Sequence, residues 1–435
     1  MISRKLFGAP VLSQDWDTES EESGAAYWEL FLDLLLVAAA TATADGFKEQ
    51  LNLAGVAEFC AVYYIFVNGW LLYTHHITTR FSDGTLLHSF NLFVFLLGFA
   101  YSVVNAGFET AASFSRGAIL QRFAILVMLA NIYSFLPRAR DFCIVFGVHI
   151  LIAIAVLMLP ALWPDMAPIC WWIVVVMEST IELTSPYFLS GSALIPVNIE
   201  HTKERLGSIV LIMLGETVVS ATILYRELRD KTGNENEQQF NLVLGLAFLL
   251  VFMFTLLYFH MQPSPQDHAL RRSRLHGGLL LFVTRILGLS LLAVGVSVKL
   301  VVISVANHDT LPVFASRLLG LSVGSALATM FFTRILHYGG RMPRSLDPPR
   351  VKMIMWCWWA TLFGTVMIPF ATAWLQWNDP VHVLAFYASL LLGMTVVEST
   401  ITHFLANHLT VSHEGGGGSL YQSYKDDITT YQSIE

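Results

Sequence analysis

Apolar residues in this chain come in long unbroken blocks, not at the two-residue spacing of a half-buried strand. A helix that crosses a bilayer needs about 20 mainly apolar residues at 1.5 Å rise each. Blocks of that length fall at about 26–46, 54–79, 85–106, 117–136, 142–162, 168–188, 205–226, 239–261, 275–302, 313–337, 351–377 and 382–408. Several contain Gly or Pro, which membrane helices tolerate better than soluble ones. Trp163, Trp171, Trp172, Trp374 and Trp377 sit near block ends, as an aromatic belt would. The pattern predicts an all-α integral membrane protein of about twelve transmembrane helices.

The polar connections orient these spans. On the side of the N-terminal tail lie fifteen Lys and Arg, among them Arg4, Lys5, Arg80, Arg138, Arg140, Arg271 and Arg272. The opposite side holds five: Lys48, Arg116, Arg226, Arg229 and Lys231. The positive-inside rule then predicts both termini cytoplasmic.

The two halves also echo each other. Trp70-Leu71-Leu72-Tyr73-Thr74-His75 parallels Thr255-Leu256-Leu257-Tyr258-Phe259-His260, and Leu87-His88 parallels Leu275-His276. Val176-Met177-Glu178-Ser179-Thr180-Ile181 parallels Val396-Val397-Glu398-Ser399-Thr400-Ile401, and Asp33 parallels Glu216. Six spans per half is an even number, so the halves are expected to be two parallel six-helix repeats. The expected organisation is a cytoplasmic acidic tail at 1–25, repeats at 26–190 and 191–410, and a flexible cytoplasmic tail at 411–435.

Composition narrows the function classes. Only 13% of residues are charged and 55% are hydrophobic, against roughly 25% charged in soluble domains. The net charge of −7 and the lack of a basic stripe argue against nucleic acid as a partner. Cys60, Cys143, Cys170 and Cys357 all fall within apolar blocks, the pattern of core hydrophobes and not of a disulfide framework. Neither Cys nor His shows metal spacing, and nothing implies a cofactor. In the tail, a Gly-rich linker precedes Tyr431-Gln432-Ser433-Ile434. That sequence fits a tyrosine-based sorting signal for a clathrin adaptor, and equally an ordinary disordered tail. The plasma membrane or an endosomal membrane is the expected location.

Ionisable residues inside spans carry the functional expectation, because each costs roughly 2.5–3.5 kcal/mol to insert. Glu29 and Asp33 are four residues apart and share one helix face. Glu216 lies near the middle of its span, beside Gly215, where another backbone is expected to approach closely. Glu178 and Glu398 are repeat-related, and Glu182 lies one turn after Glu178. Arg285 is the deepest cation and is expected to pair with one of these acids. His88 and His276 form a repeat-related pair of titrating residues, and His201 and Arg205 open the seventh span. Each acid also has a bland reading as a solvated or hydrogen-bonded helix residue.

Glu29-Leu30-Phe31-Leu32-Asp33-Leu34, Arg80-Phe81-Ser82-Asp83, Glu200-His201 with Glu204-Arg205-Leu206-Gly207, and Leu214-Gly215-Glu216-Thr217 together resemble the low temperature requirement protein A family. The resemblance covers about residues 25–410. It implies a multi-span membrane protein and carries no substrate with it. The acids themselves point to a proton- or cation-linked transporter. An ion or proton channel uses the same acids as a pore lining. An intramembrane lipid-modifying enzyme is the third reading, although no nucleophile or zinc motif is present, and a non-transporting scaffold is the fourth.

Overall fold

A computed structural model describes residues 10–12, 27–82, 85–189, 195–232, 237–263, 268–307, 309–338, 349–375 and 377–411. The chain divides into two units, Met1–Glu216 and Thr217–Glu435. Among the described residues, eleven helices are long and apolar enough to cross a membrane.

The first unit holds α1 (Tyr27–Glu49), α2 (Leu53–Tyr73), α3 (Leu86–Val104), α4 (Ala111–Phe135), α5 (Arg140–Leu162), α6 (Ala167–Phe188) and the start of α7 (Ile199–Thr232). The span expected at 168–188 is present as α6, but it does not join those eleven. It carries Glu178 and Glu182, and Thr184 and Ser185 precede its last residues, Pro186-Tyr187-Phe188. Two short strands, β1 (Val11–Leu12) and β2 (Phe81–Ser82), pair antiparallel with Val11 opposite Ser82. With Leu12 opposite Phe81 as well, these two pairs tie Val11 and Leu12 to the turn that follows the π turn over Thr74–Thr78. The pairing is the one departure from all-α structure among the described residues.

Polar residues place the helix ends. The side chain of Asn52 accepts from the Gly55 amide at 2.9 Å to start α2. Thr85 does the same for α3, and Pro137 and Pro164 open the 3-10 turns that lead into α5 and α6. These caps satisfy amides that a helix start leaves without partners. Hydroxyls inside the spans bond back to the carbonyl four residues earlier, as Thr43 does to Ala39 at 2.7 Å. That bond keeps the hydroxyl hydrogen from facing hydrocarbon.

In this unit α3 packs along α4, α4 along α5, α5 along α6, and α6 returns to α2, with α1 against α2 and α3. Small residues let α3 and α4 touch backbone to backbone. A Cβ on Gly117 would lie 2.8 Å from the Gly98 carbonyl and 2.3 Å from Ser102 Oγ. Across that contact Gln121 Nε2 donates to Ser102 Oγ at 3.2 Å. Close approach with polar glue is the usual packing solution where lipid removes the hydrophobic drive between helices. At its C-terminal end α2 widens into a π turn over Thr74–Thr78.

The second unit holds the rest of α7, then α8 (Glu237–His260), α9 (Ala269–Arg272), α10 (Arg274–Ala306), α11 (Val313–Tyr338), α12 (Pro349–Thr372) and α13 (Pro380–Val411). Here α10 packs along α11, α11 along α12, α12 along α13, and α13 returns to α8. The first unit includes the beginning of α7, as far as Glu216. The reason is that the beginning of α7 is tied by side chains to α1.

Candidate functional site

Four side chains make that tie. Glu29 and Asp33 lie one turn apart on α1, and His201 and Arg205 lie one turn apart on α7. Glu29 Oε1 meets His201 Nε2 at 3.1 Å. One rung along, Arg205 Nη2 donates to Asp33 Oδ1. The same Asp33 oxygen accepts from Trp70 Nε1 at 2.9 Å, and the Arg205 guanidinium lies over the Trp70 ring, 5.1 Å from its centre. Thr78 of the π turn hydrogen-bonds Glu29 as well. Glu29 is 1% exposed and the Asp33 side chain 14%.

The sequence around α7 explains why it arrives in register. Asn198 caps the helix, its side chain accepting from the His201 amide at 3.0 Å. The Asn198 amide donates to the Thr79 carbonyl at 3.2 Å. Arg80 donates to the Ile195 carbonyl at 3.0 Å and lies over the Phe142 ring. Arg80 Nη2 also lies 3.4 Å from His75 Nε2. His75 and His76 are buried in the π turn, a distortion that often marks functional positions in helices.

The chemistry follows from the charges. Two carboxylates face one guanidinium, which stays charged, and one imidazole, whose charge depends on a bound proton. With both acids ionised, the ladder is neutral when His201 is protonated and negative when it is not. A buried cluster whose net charge is set by a single proton is a ready element for proton coupling.

The profile of the family described as Bacterial low temperature requirement A protein (LtrA) matches residues 25–397. The chain belongs to the LtrA family. It is therefore a multi-pass integral membrane protein. Comparison with curated proteins finds no match. In this LtrA chain three of the four stretches that carry the resemblance meet in the ladder and its surroundings, through Glu29, Asp33, Arg80, His201 and Arg205.

The fourth stretch places Glu216 on α7, fully buried, eleven residues beyond Arg205 and so about 16 Å further along the helix. Gly215 does not serve the close approach expected of it, since a Cβ there would meet nothing within 4 Å. Arg285 is buried in α10. Glu178 lies against Arg122 of α4, which grips it with both arms, Nε to Oε1 at 2.9 Å and Nη2 to Oε2 at 2.7 Å. Glu398 accepts from Arg334 of α11. The side chain of Glu182 lies outside the described residues, as do Tyr431 and Ile434.

His88 and His276 both sit at helix starts. The amides of His88 and His276 donate to the capping hydroxyls of Thr85 and Ser273, each at 3.2 Å. The His276 ring also meets Ser273 Oγ at 2.6 Å. Both histidines occupy the third position of a capped helix, which supplies a structural reason for the parallel.

Sequence reasoning passed over Arg122, Arg334 and Trp70. The signal was present, because a lone Arg deep in an apolar block needs an acid as much as a lone acid needs a base.

Proposed function

We propose that this LtrA protein is a proton- or cation-linked transporter whose coupling element is the Glu29–His201 and Asp33–Arg205 ladder. The observation that carries the reading is the buried imidazole–carboxylate contact at 3.1 Å beside a fixed Arg–Asp pair. Arg205 holds Asp33 in place while the His201–Glu29 pair takes up or releases one proton, so the charge of the cluster changes by one unit. Such a change alters the cost of exposing the cluster to either side. Glu216, buried further along α7, and Arg285, buried in α10, are further charges that the cycle would use. No catalytic role is assigned to any of these residues.

We further propose that the spans number twelve, with α6 as the sixth, that the two halves are parallel repeats, and that both termini are cytoplasmic. Three observations support the repeat. The packing circuit α3–α4–α5–α6–α2 has the same order as α10–α11–α12–α13–α8. Arg122–Glu178 joins the fourth and sixth spans of one half, and Arg334–Glu398 the fourth and sixth of the other. Thr85–His88 and Ser273–His276 begin corresponding helices.

The test separates carrier from channel. Purified full-length protein in liposomes is given an outward gradient of candidate cations, and internal pH is followed with a dye. A transporter accumulates or expels protons against their gradient and saturates with the driving ion. Ohmic, non-saturating currents with discrete openings would instead assign the acids to a channel pore.

A further inference from the structure

One end of the second unit carries a platform of arginines that neighbouring side chains hold in place. Arg271-Arg272-Ser273-Arg274 joins α9 to α10, and all four residues are exposed. Ser273 is extended, at φ −166° and ψ 162°, and its hydroxyl caps α10 by accepting from the His276 amide at 3.2 Å. His268 is 1% exposed, and its Nδ1 accepts from the Leu270 amide at 3.3 Å to start α9. The Ala269 amide donates to Nδ1 of His337 on α11 at 3.2 Å, and the two imidazoles pack with ring centres 4.6 Å apart. Arg272 Nη1 donates to the Leu336 carbonyl at 2.7 Å, meeting one of the carbonyls that the end of α11 leaves without a partner in the helix. A run of arginines that only oriented the chain in the membrane would need none of this fixing.

More positive charge gathers at the same end. α12 begins shortly after α11 ends and packs along it, which brings exposed Arg350 and half-buried Lys352 there. The described helices thus carry five cations at this end, and their acid Glu398 is already matched by Arg334. The residues that follow mark the depth. Leu275, directly after Arg274, is 50% exposed, and Met353 and Trp356 are 62% and 57% exposed in the first two turns of α12. Cations give way to exposed apolar side chains within about one helical turn, as they do where headgroups meet acyl chains.

We propose that this platform binds the headgroup of an anionic phospholipid from the surrounding leaflet. Phosphate is the group that arginine suits best, because its planar fork meets two oxygens at once. Arg271 and Arg274 flank the turn at Ser273, and the start of α10 adds its own partial positive charge beside them. Lipid is the source, and not a soluble phosphate, since exposed Leu275 and Trp356 place acyl chains directly beside the cations. Binding of this kind does not depend on the proton chemistry of the ladder.

The test is fluorescence polarisation of a short-chain phosphatidylserine with a dye on one acyl chain, titrated with full-length protein in dodecyl maltoside micelles. Phosphatidylcholine with the same chains and dye is the comparison. Phosphatidylserine should bind at least 25-fold more tightly, by a margin that shrinks as salt rises. Each cation near an anionic membrane surface contributes about fivefold in affinity. Arg271→Gln and Arg274→Gln together should therefore weaken phosphatidylserine binding about 25-fold, and Arg350→Gln alone about fivefold. Arg116→Gln, which alters an exposed arginine of the first unit, should leave it unchanged. Equal binding of the two lipids, unaltered binding in the double variant, or the same loss in Arg116→Gln would overturn the proposal. Free glycerophosphoserine that displaced the probe as well as unlabelled phosphatidylserine does would overturn the choice of a lipid.

Discussion

Replacing Arg122 with Met isolates the energetic role of an ion pair sealed inside a membrane unit. The Arg122 side chain is 0% exposed and that of Glu178 2%. The guanidinium makes two bonds to the carboxylate, at 2.9 and 2.7 Å. It also donates to the Ile65 carbonyl at 3.3 Å and to Gln121 Oε1 at 3.4 Å. Met fills much of the same volume and leaves Glu178 buried without its cation. Breaking one side of such a pair costs about 3–5 kcal/mol, whereas removing both charges is often nearly neutral. An ordinary interhelical hydrogen bond in a membrane protein averages only about 0.6 kcal/mol, so the two cases separate clearly. The predicted outcome is a loss of about 3 kcal/mol or more for Arg122→Met, a hundredfold or greater shift in the folding equilibrium. Adding Glu178→Gln to that variant should restore most of the loss. Reversible unfolding in mixed micelles of increasing SDS content, followed by far-ultraviolet circular dichroism, reads both values. A single variant that loses under about 1 kcal/mol, or a double variant no better than the single, would refute the reasoning.

The remaining predictions use the same measurement unless stated. Gly117→Ala should lose about 1–3 kcal/mol, because its methyl would press on the Gly98 carbonyl and Ser102. Gly46→Ala, where a Cβ meets nothing within 4 Å, should be neutral or slightly stabilising. Trp70→Phe should lose about 1 kcal/mol, the worth of its hydrogen bond to Asp33. His201→Gln keeps a polar partner for Glu29 but cannot carry the proton, so proton flux into liposomes should fall to the level of protein-free vesicles.

The helical architecture was legible because bilayer thickness leaves so few solutions for long apolar blocks. Glu29 and Asp33 were readable as a pair from their four-residue spacing alone. Their partners were less visible, because His201 and Arg205 lie 172 residues away and no local spacing encodes that distance. Position in a span also proved a poor guide to environment. In the sequence, Glu29 and Glu178 each admitted a functional reading and a solvated or hydrogen-bonded one. Yet Glu29 is almost wholly buried, and Glu178 is held by both arms of Arg122. The parallel of Leu87-His88 with Leu275-His276 was visible in the sequence, while its capping geometry needed the hydroxyls of Thr85 and Ser273 to be seen in place.

The central claim is that the ladder between α1 and α7 couples the protein to protons. The measurement that tests it most directly is proton flux into liposomes containing the purified full-length protein, under an imposed membrane potential and with a pH-sensitive dye inside. The wild type should acidify the lumen. A Glu29→Gln, His201→Gln double variant, which keeps polar contact across the rung but removes both titrating groups, should fold normally and leave the lumen unchanged. Equal flux in the wild type and that variant, or no flux from folded wild type under any gradient, would contradict the account.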